Sequence, residues 1–408
     1  MRTDLRHTQK DWARRKDITE VVNGEGSTLN NNDAIAETIE SSMQYVMLSQ
    51  NIDGGFSPYP DSRRTSGVLA TADVLTAILR ALSRDSELED KMLNRNIAKT
   101  IMAAVTFLVN SRIEDGGFPP KGDVYVIEDV SFSDATADAL LALVNVQQTI
   151  YQGSTRLAVA CREVGDVDEE EISKRIADAT KWLTKYLDQK LLLPSFVLAH
   201  TGPGPHDRRV FPNVLAGMAF SILKNRSFEF MEPYRKEISR CTGQLLEEFE
   251  KTINDLQYAP FRLGKSECSF VNTCFVLQLL KWETDCKKEE IVNRFDRDAE
   301  SWYANWEKTK SYQDYTDLDN IDTSPISSRL PFYRASYFRL PPLLSVEVEY
   351  KHNNACIERR VSELLSLRGG ERGSYYYYEH RGNAERALSA TASAIIALAE
   401  VLSYRRNA

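Results

Sequence analysis

Two kinds of helical stretch alternate along the chain. One kind spaces its apolar positions three and four residues apart with charges between them, as at Ile176, Thr180, Leu183 and Leu187 or at Ile238, Leu245 and Phe249. That is the signature of a helix with a single buried face. The other kind is apolar nearly all round, as in 68–82 and 135–144. A helix without a polar face needs cover on both sides. The first kind therefore predicts an outer layer and the second an inner layer, with inner helices over 68–82, 133–146, 212–224, 269–282 and 388–402.

The junctions between the two kinds repeat. Asp53-Gly54-Gly55-Phe56 and Asp115-Gly116-Gly117-Phe118 each close an apolar helical stretch, and each leads through a polar loop to Ala70-Thr71-Ala72-Asp73 or Ala135-Thr136-Ala137-Asp138. Near the end, Gly373-Ser374-Tyr375 takes the place of Gly-Gly-Phe and Ala390-Thr391-Ala392 opens another small-residue helix. Weaker copies run from Leu193-Pro194-Ser195-Phe196 to Val214 and from Ala259-Pro260-Phe261 to Val271, and the least regular unit spans Glu290 to Tyr350. A fixed order at a long period means tandem helical hairpins, about six of them. Alternating outer and inner helices are expected to close into an all-α (α/α)6 toroid, with an open superhelix as the alternative that the apolar inner helices disfavour, as a single domain over 34–408 behind a polar lead-in at 1–33. Glycine in the Asp-Gly-Gly-Phe turns is expected to supply the positive φ that ends each outer helix, with Phe56, Phe118 and Tyr375 folding back between hairpins.

This order of helix, Asp-Gly-Gly-Phe, loop and Ala-Thr-Ala helix resembles the repeat of the terpene cyclase and protein prenyltransferase superfamily, and it covers roughly 34–404. The resemblance implies a central cavity, lined by the inner helices, that holds an isoprenoid. The family's class II cyclases protonate an alkene with the middle acid of Asp-x-Asp-Asp; the nearest string here is Asp317-Leu318-Asp319-Asn320, which makes Asp319, with Asp317, a candidate acid. Asp134, at the start of an inner helix, is another. The prenyltransferases' zinc set of Asp-x-Cys and a later His is not reproduced, because Glu267 and Cys268 are adjacent ahead of His380. No metal site is expected, and Cys268 and Cys274 read as small buried hydrophobes.

In a toroid the inner-helix N-termini converge on one mouth, where their dipoles favour anions. Basic loop residues gather at the same junctions. His206, Arg208, Arg209, His380 and Arg381 are the candidate clamp for a diphosphate, which would bring Mg with it, and Tyr376 and Tyr378 of the run Tyr375-Tyr376-Tyr377-Tyr378 are candidates to face a carbocation.

Composition narrows the partners. The formal net charge is −8, against a general nucleic-acid binder. The six cysteines are scattered without a Cys-x-x-Cys pair, and no run reaches the length of a membrane span, so a soluble cytoplasmic protein is expected. Two functions fit: a terpene cyclase-like or prenyltransferase-like enzyme acting on an isoprenoid diphosphate or similar hydrophobic anion, or an inert toroid serving as a protein-interaction module in a larger assembly.

Overall fold

The computed structural model describes residues 31–57, 65–93, 95–119, 131–187, 197–198, 202–203, 210–226, 228–256, 259, 270–283, 336–350, 354–366, 368–369, 374–380, 383–386 and 388–407. The apolar all-round stretches form helices α2 (Val68–Arg84), α5 (Ser133–Val146), α8 (Val210–Asn225), α10 (Phe270–Glu283), α11 (Ser336–Glu349) and α13 (Leu388–Asn407), with α1 (Asn31–Leu48), α3 (Ser86–Met92), α4 (Arg95–Asn110), α6 (Arg156–Val164), α7 (Glu169–Tyr186), α9 (Arg235–Leu256) and α12 (Asn354–Ser366) between them. Packing follows chain order around a ring: α2 on α5, α5 on α8, α8 on α10, α10 on α11, α11 on α13, and α13 back on α2. The last contact closes the toroid. Outside it lie α1 against α13, α4 against α2, α7 against α5, α9 against α8 and α12 against α11.

All five inner helices expected from the sequence are present, and α11 is a sixth. Its pattern is hidden by Pro341 and Pro342 inside the helix, residues that break helices elsewhere because they lack an N–H and clash with the preceding turn. The outer helices bury one stripe each: Ile176, Thr180 and Leu183 on α7, Ile238, Leu245 and Phe249 on α9. The N-terminus of α7 is capped by Asp168, whose carboxylate accepts from Glu171 N at 2.8 Å, with Glu169, Glu170 and Glu171 in the first turn.

The repeated turn motifs are hydrogen-bonded cassettes. The Asp53 carboxylate accepts from Gly55 N at 3.1 Å and from Ser66 Oγ at 2.6 Å, while Phe56 N donates to Thr71 Oγ1 at 2.9 Å. The second copy repeats every bond: Asp115 accepts from Gly117 N and Ser131 Oγ, and Phe118 N donates to Thr136 Oγ1 at 2.9 Å. Thr273 accepts from Ala259 N in the weak fourth unit. The threonine of Ala-Thr-Ala therefore recurs because it ties the incoming loop to its own inner helix. Phe56 and Phe118 are fully buried as plugs.

The two glycines divide the work differently from the expectation. Positive φ belongs to the first of each pair, Gly54 at 87° and Gly116 at 95°. Gly55 and Gly117 are required by crowding instead: a Cβ would stand 2.5 Å from Ser66 Cβ in one and 2.9 Å from Trp182 Cε2 in the other. Gly373 lies outside the described residues.

A short hairpin and a small three-stranded antiparallel sheet decorate the outer-to-inner loops. Strand β1 (Val197–Leu198) pairs with β2 (Gly202–Pro203), and β4 (Ser374–His380) pairs antiparallel with both β3 (Arg368–Gly369) and β5 (Asn383–Arg386). The run of tyrosines is thus strand rather than a Gly-Gly-Phe-like turn, in keeping with the β preference of aromatic residues. Among the described residues no helix is long and apolar enough to cross a membrane.

Candidate functional site

The inner helices are sealed by the outer ring on one side, so the face that keeps some accessibility looks toward the toroid axis. On α2 that face carries Leu69, Asp73, Thr76 and Arg80, spaced four, three and four residues apart, which stacks them in one column. The same spacing recurs as Asp134, Asp138, Leu141 and Asn145 on α5, as Phe211, Leu215, Met218 and Ile222 on α8, and as Ser389, Ser393, Ile396 and Glu400 on α13. On α10 the column reads Phe275, Gln278 and Trp282, and on α11 Ser345 and Glu349.

Side by side, the columns form layers around a lumen. The mouth layer holds Leu69, Asp134, Phe211 and Ser389. Below it come Asp73, Asp138, Leu215, Phe275 and Ser393, then a layer with Thr76, Leu141, Met218, Gln278, Ser345 and Ile396. The lowest layer is polar: Arg80, Asn145, Trp282, Glu349 and Glu400, with Ile222. Phe211 and Phe275 meet edge to face with centroids 5.6 Å apart, giving the upper lumen an aromatic wall.

Asp73 is the distinctive group of the upper lumen. Its side chain is half-buried, and desolvation pushes its carboxyl up to about 6 even though Ser389 hydrogen-bonds to it and pulls the other way. Asp134, the inner-helix candidate from the sequence, lies on the adjacent α5 at the mouth, partly exposed, 3.4 Å from Ser133 Oγ. Asp138 stands one turn deeper on α5, in the same layer as Asp73. The wall formed by α2 and α5 thus gathers carboxyls, and the aromatic wall of α8 and α10 follows it around the ring.

The lower layer is bound together by charge. Glu400 pairs with Arg84 at 2.9 Å, Trp282 Nε1 donates to Glu349, and the Arg80 guanidinium lies 5.4 Å from the centre of the Trp282 ring. Burial, with the Glu400 charge beside it, raises the Glu349 carboxyl to about 7. Burial lowers Arg80 while Glu400 and Glu349 oppose that shift.

Of the other sequence candidates, Asp317, Asp319, His206, Arg208, Arg209 and Arg381 lie outside the described residues. Tyr376, Tyr378 and His380 lie on β4, their backbones opposite Arg386, Glu385 and Asn383, and this strand packs against α13, α11 and α1. Cys274 is buried, as expected. Among the described residues no cluster of His, Cys, Asp and Glu is arranged to hold a metal ion.

Sequence reasoning passed over Asp73 and Asp138. Both sit inside the Ala-Thr-Ala-Asp strings that mark the repeat, at the same position of two successive inner helices; that shared position, four residues after Leu69 or Asp134, was the available signal.

No protein-family model and no curated protein matches the chain. Solved structures do. A cellobiose 2-epimerase from Spirochaeta thermophila is similar with a TM-score of 0.60 and 14% identity over 94% of this chain and 100% of that one. A D-mannose isomerase gives 0.58 and 12% over 92% and 99%. A type II terpene cyclase from Scytonema, in complex with its substrate geranylgeranyl dihydroxybenzoate, gives 0.50 and 14% over 93% and 99%. At these identities the likeness is one of fold: the chain is an α/α toroid, an architecture it shares with an epimerase, an isomerase and a terpene cyclase.

Proposed function

We propose that the lumen receives an isoprenoid chain and that Asp73 protonates it to start a cyclisation. The observation that carries this reading is a desolvated carboxyl, held up to about 6, on a wall facing Phe211 and Phe275. A protonated acid in a dry, apolar chamber is what alkene protonation needs. The Asp73 O–H proton goes to one alkene carbon, the π pair forms the new C–H bond, and the cation left on the other carbon faces the aromatic rings. The carboxylate that remains accepts from Ser389, which lowers the cost of its charge. Loss of a proton from the cyclised cation returns Asp73 to its acid form. In this reading Asp73 takes the part that the sequence assigns to Asp319, Asp317 or Asp134.

The anionic head belongs at the mouth. His206, Arg208 and Arg209 directly precede Val210, the first residue of α8, and His380 and Arg381 end and follow β4 on the way into α13. The dipoles of the inner-helix N-termini favour an anion there, and these basic residues are the candidates to hold a diphosphate together with its Mg. The test is incubation of the purified protein with farnesyl and geranylgeranyl diphosphate, with products read by mass spectrometry and binding by calorimetry. Cyclised product from the wild type, absent in Asp73→Asn although the ligand still binds, is the expected result. If the wild type neither binds nor converts a prenyl compound, the reading fails; conversion of mannose or cellobiose in parallel assays would replace it, and inertness toward all of them would leave the interaction module.

A further inference from the structure

Arg80 and Trp282 occupy opposite sides of the ring. Counting inner helices in the order in which they pack, α2 and α10 are separated by α5 and α8 one way and by α13 and α11 the other. For the Arg80 guanidinium to lie 5.4 Å from the Trp282 ring, the pair of side chains spans the axis. It does so in the lowest layer, seven residues below Asp73 on the same face of α2, which is a descent of roughly 10 Å. From both sides the crossing is braced by carboxylates: Glu349, whose own partner is Trp282 Nε1, and Glu400, which is tied to Arg84.

We propose that Arg80 is the floor of the lumen and sets the length of the apolar chain that it admits. This rests on the isoprenoid reading of the site and assigns it a specificity determinant. Between the Asp73 layer and Arg80 the walls carry the apolar Leu141, Met218 and Ile396 beside Thr76, Gln278 and Ser345, so a chain gains affinity with each methylene it lays against the apolar side until it meets the guanidinium, whose carboxylate and ring partners it would have to displace. Below that point added length is excluded. Arg80 does not touch the reacting alkene; it acts through depth.

The test uses the full chain and two variants, Arg80→Ala and the charge-balanced Arg80→Ala/Glu349→Gln, the second guarding against misfolding from an unpaired Glu349. Calorimetry with decanol, tetradecanol and octadecanol reads depth independently of any prenyl chemistry. Expected is a wild-type affinity that stops rising before octadecanol, and a roughly tenfold gain for octadecanol relative to tetradecanol in a folded variant. A length profile unchanged by the substitution overturns the proposal, as does failure of every alcohol to bind the wild type. Should the alcohols shift while farnesyl and geranylgeranyl diphosphate do not bind, the floor stands and the isoprenoid reading falls. A second measurement needs no variant at Arg80: an alcohol brominated at its far end should quench Trp282 fluorescence in the wild type, judged against Trp282→Phe, and absence of quenching by a bound bromoalcohol of every length overturns the floor.

Discussion

Arg406 on the last inner helix and Asp85 at the start of α3 form an ion pair across the seam where the toroid closes, joining positions 321 residues apart in sequence. Asp85 is also the N-cap of α3, accepting from Leu88 N at 2.9 Å. Arg406 reaches Glu87 in the same turn at 2.7 Å, and the neighbouring Arg405 binds Glu358 and Asn32. Arg84 and Glu400 add a further pair across the same seam.

Arg406→Ala should therefore destabilise by about 1–3 kcal/mol, because Asp85 is buried and loses a charged partner. Urea denaturation followed by circular dichroism checks this. A midpoint equal to that of the wild type would mean that the seam is held by apolar packing of α13 on α2 alone.

Burial makes the lumenal carboxyls pH reporters. Asp73 and Glu349 keep their protons to about 6 and about 7 in the folded protein, whereas in the unfolded chain they ionise near 3.8 and 4.5. Between those limits the folded state binds more protons, so stability should fall as pH rises from about 4 to about 7 and level off above. Asp73→Asn and Glu349→Gln should each flatten that slope. Cyclisation, if protonated Asp73 drives it, should decline as pH rises through about 6.

Inside the ring wall, Glu347 of α11 and Arg360 of α12 are fully buried and 3.3 Å apart. Breaking such a pair strands a charge, so Glu347→Ala should cost about 3–5 kcal/mol. The apolar replacement Glu347→Leu with Arg360→Met should recover most of that loss. Thermal melts of the two variants decide it: equal losses would show that the charges themselves are needed.

The glycine cassettes separate two kinds of strain. Gly54→Ala meets both a positive φ and a Cβ placed 2.4 Å from the Ala103 carbonyl oxygen, and should cost on the order of 1–3 kcal/mol. Thr136→Val removes the acceptor of Phe118 N in the buried cassette and should cost about 1–3 kcal/mol. Loss of stability in both, read from denaturation midpoints, with no change in the affinity of lumenal ligands, is the expected outcome.

The sequence by itself determined the hairpin repeat, the division into outer and inner helices and the closed toroid, because those follow from the contrast between one-faced and all-apolar helices and from turn residues at fixed places. It also marked Gly54 and Thr71 as repeated, without revealing that one supplies the φ and the other ties down the loop. Only the tertiary structure decided which side of each inner helix faces the axis. A helix buried on both sides has little polar contrast from which to read a direction, so Asp73 and Asp138 stood out only as members of the repeated string and nothing singled out Arg80. Helix α11 was masked by its two prolines, whose helix-breaking tendency is overridden by packing between α10 and α13. Desolvation of Asp73 and the contact of Arg80 with Trp282 arise between helices far apart in the chain, and no local pattern records that distance.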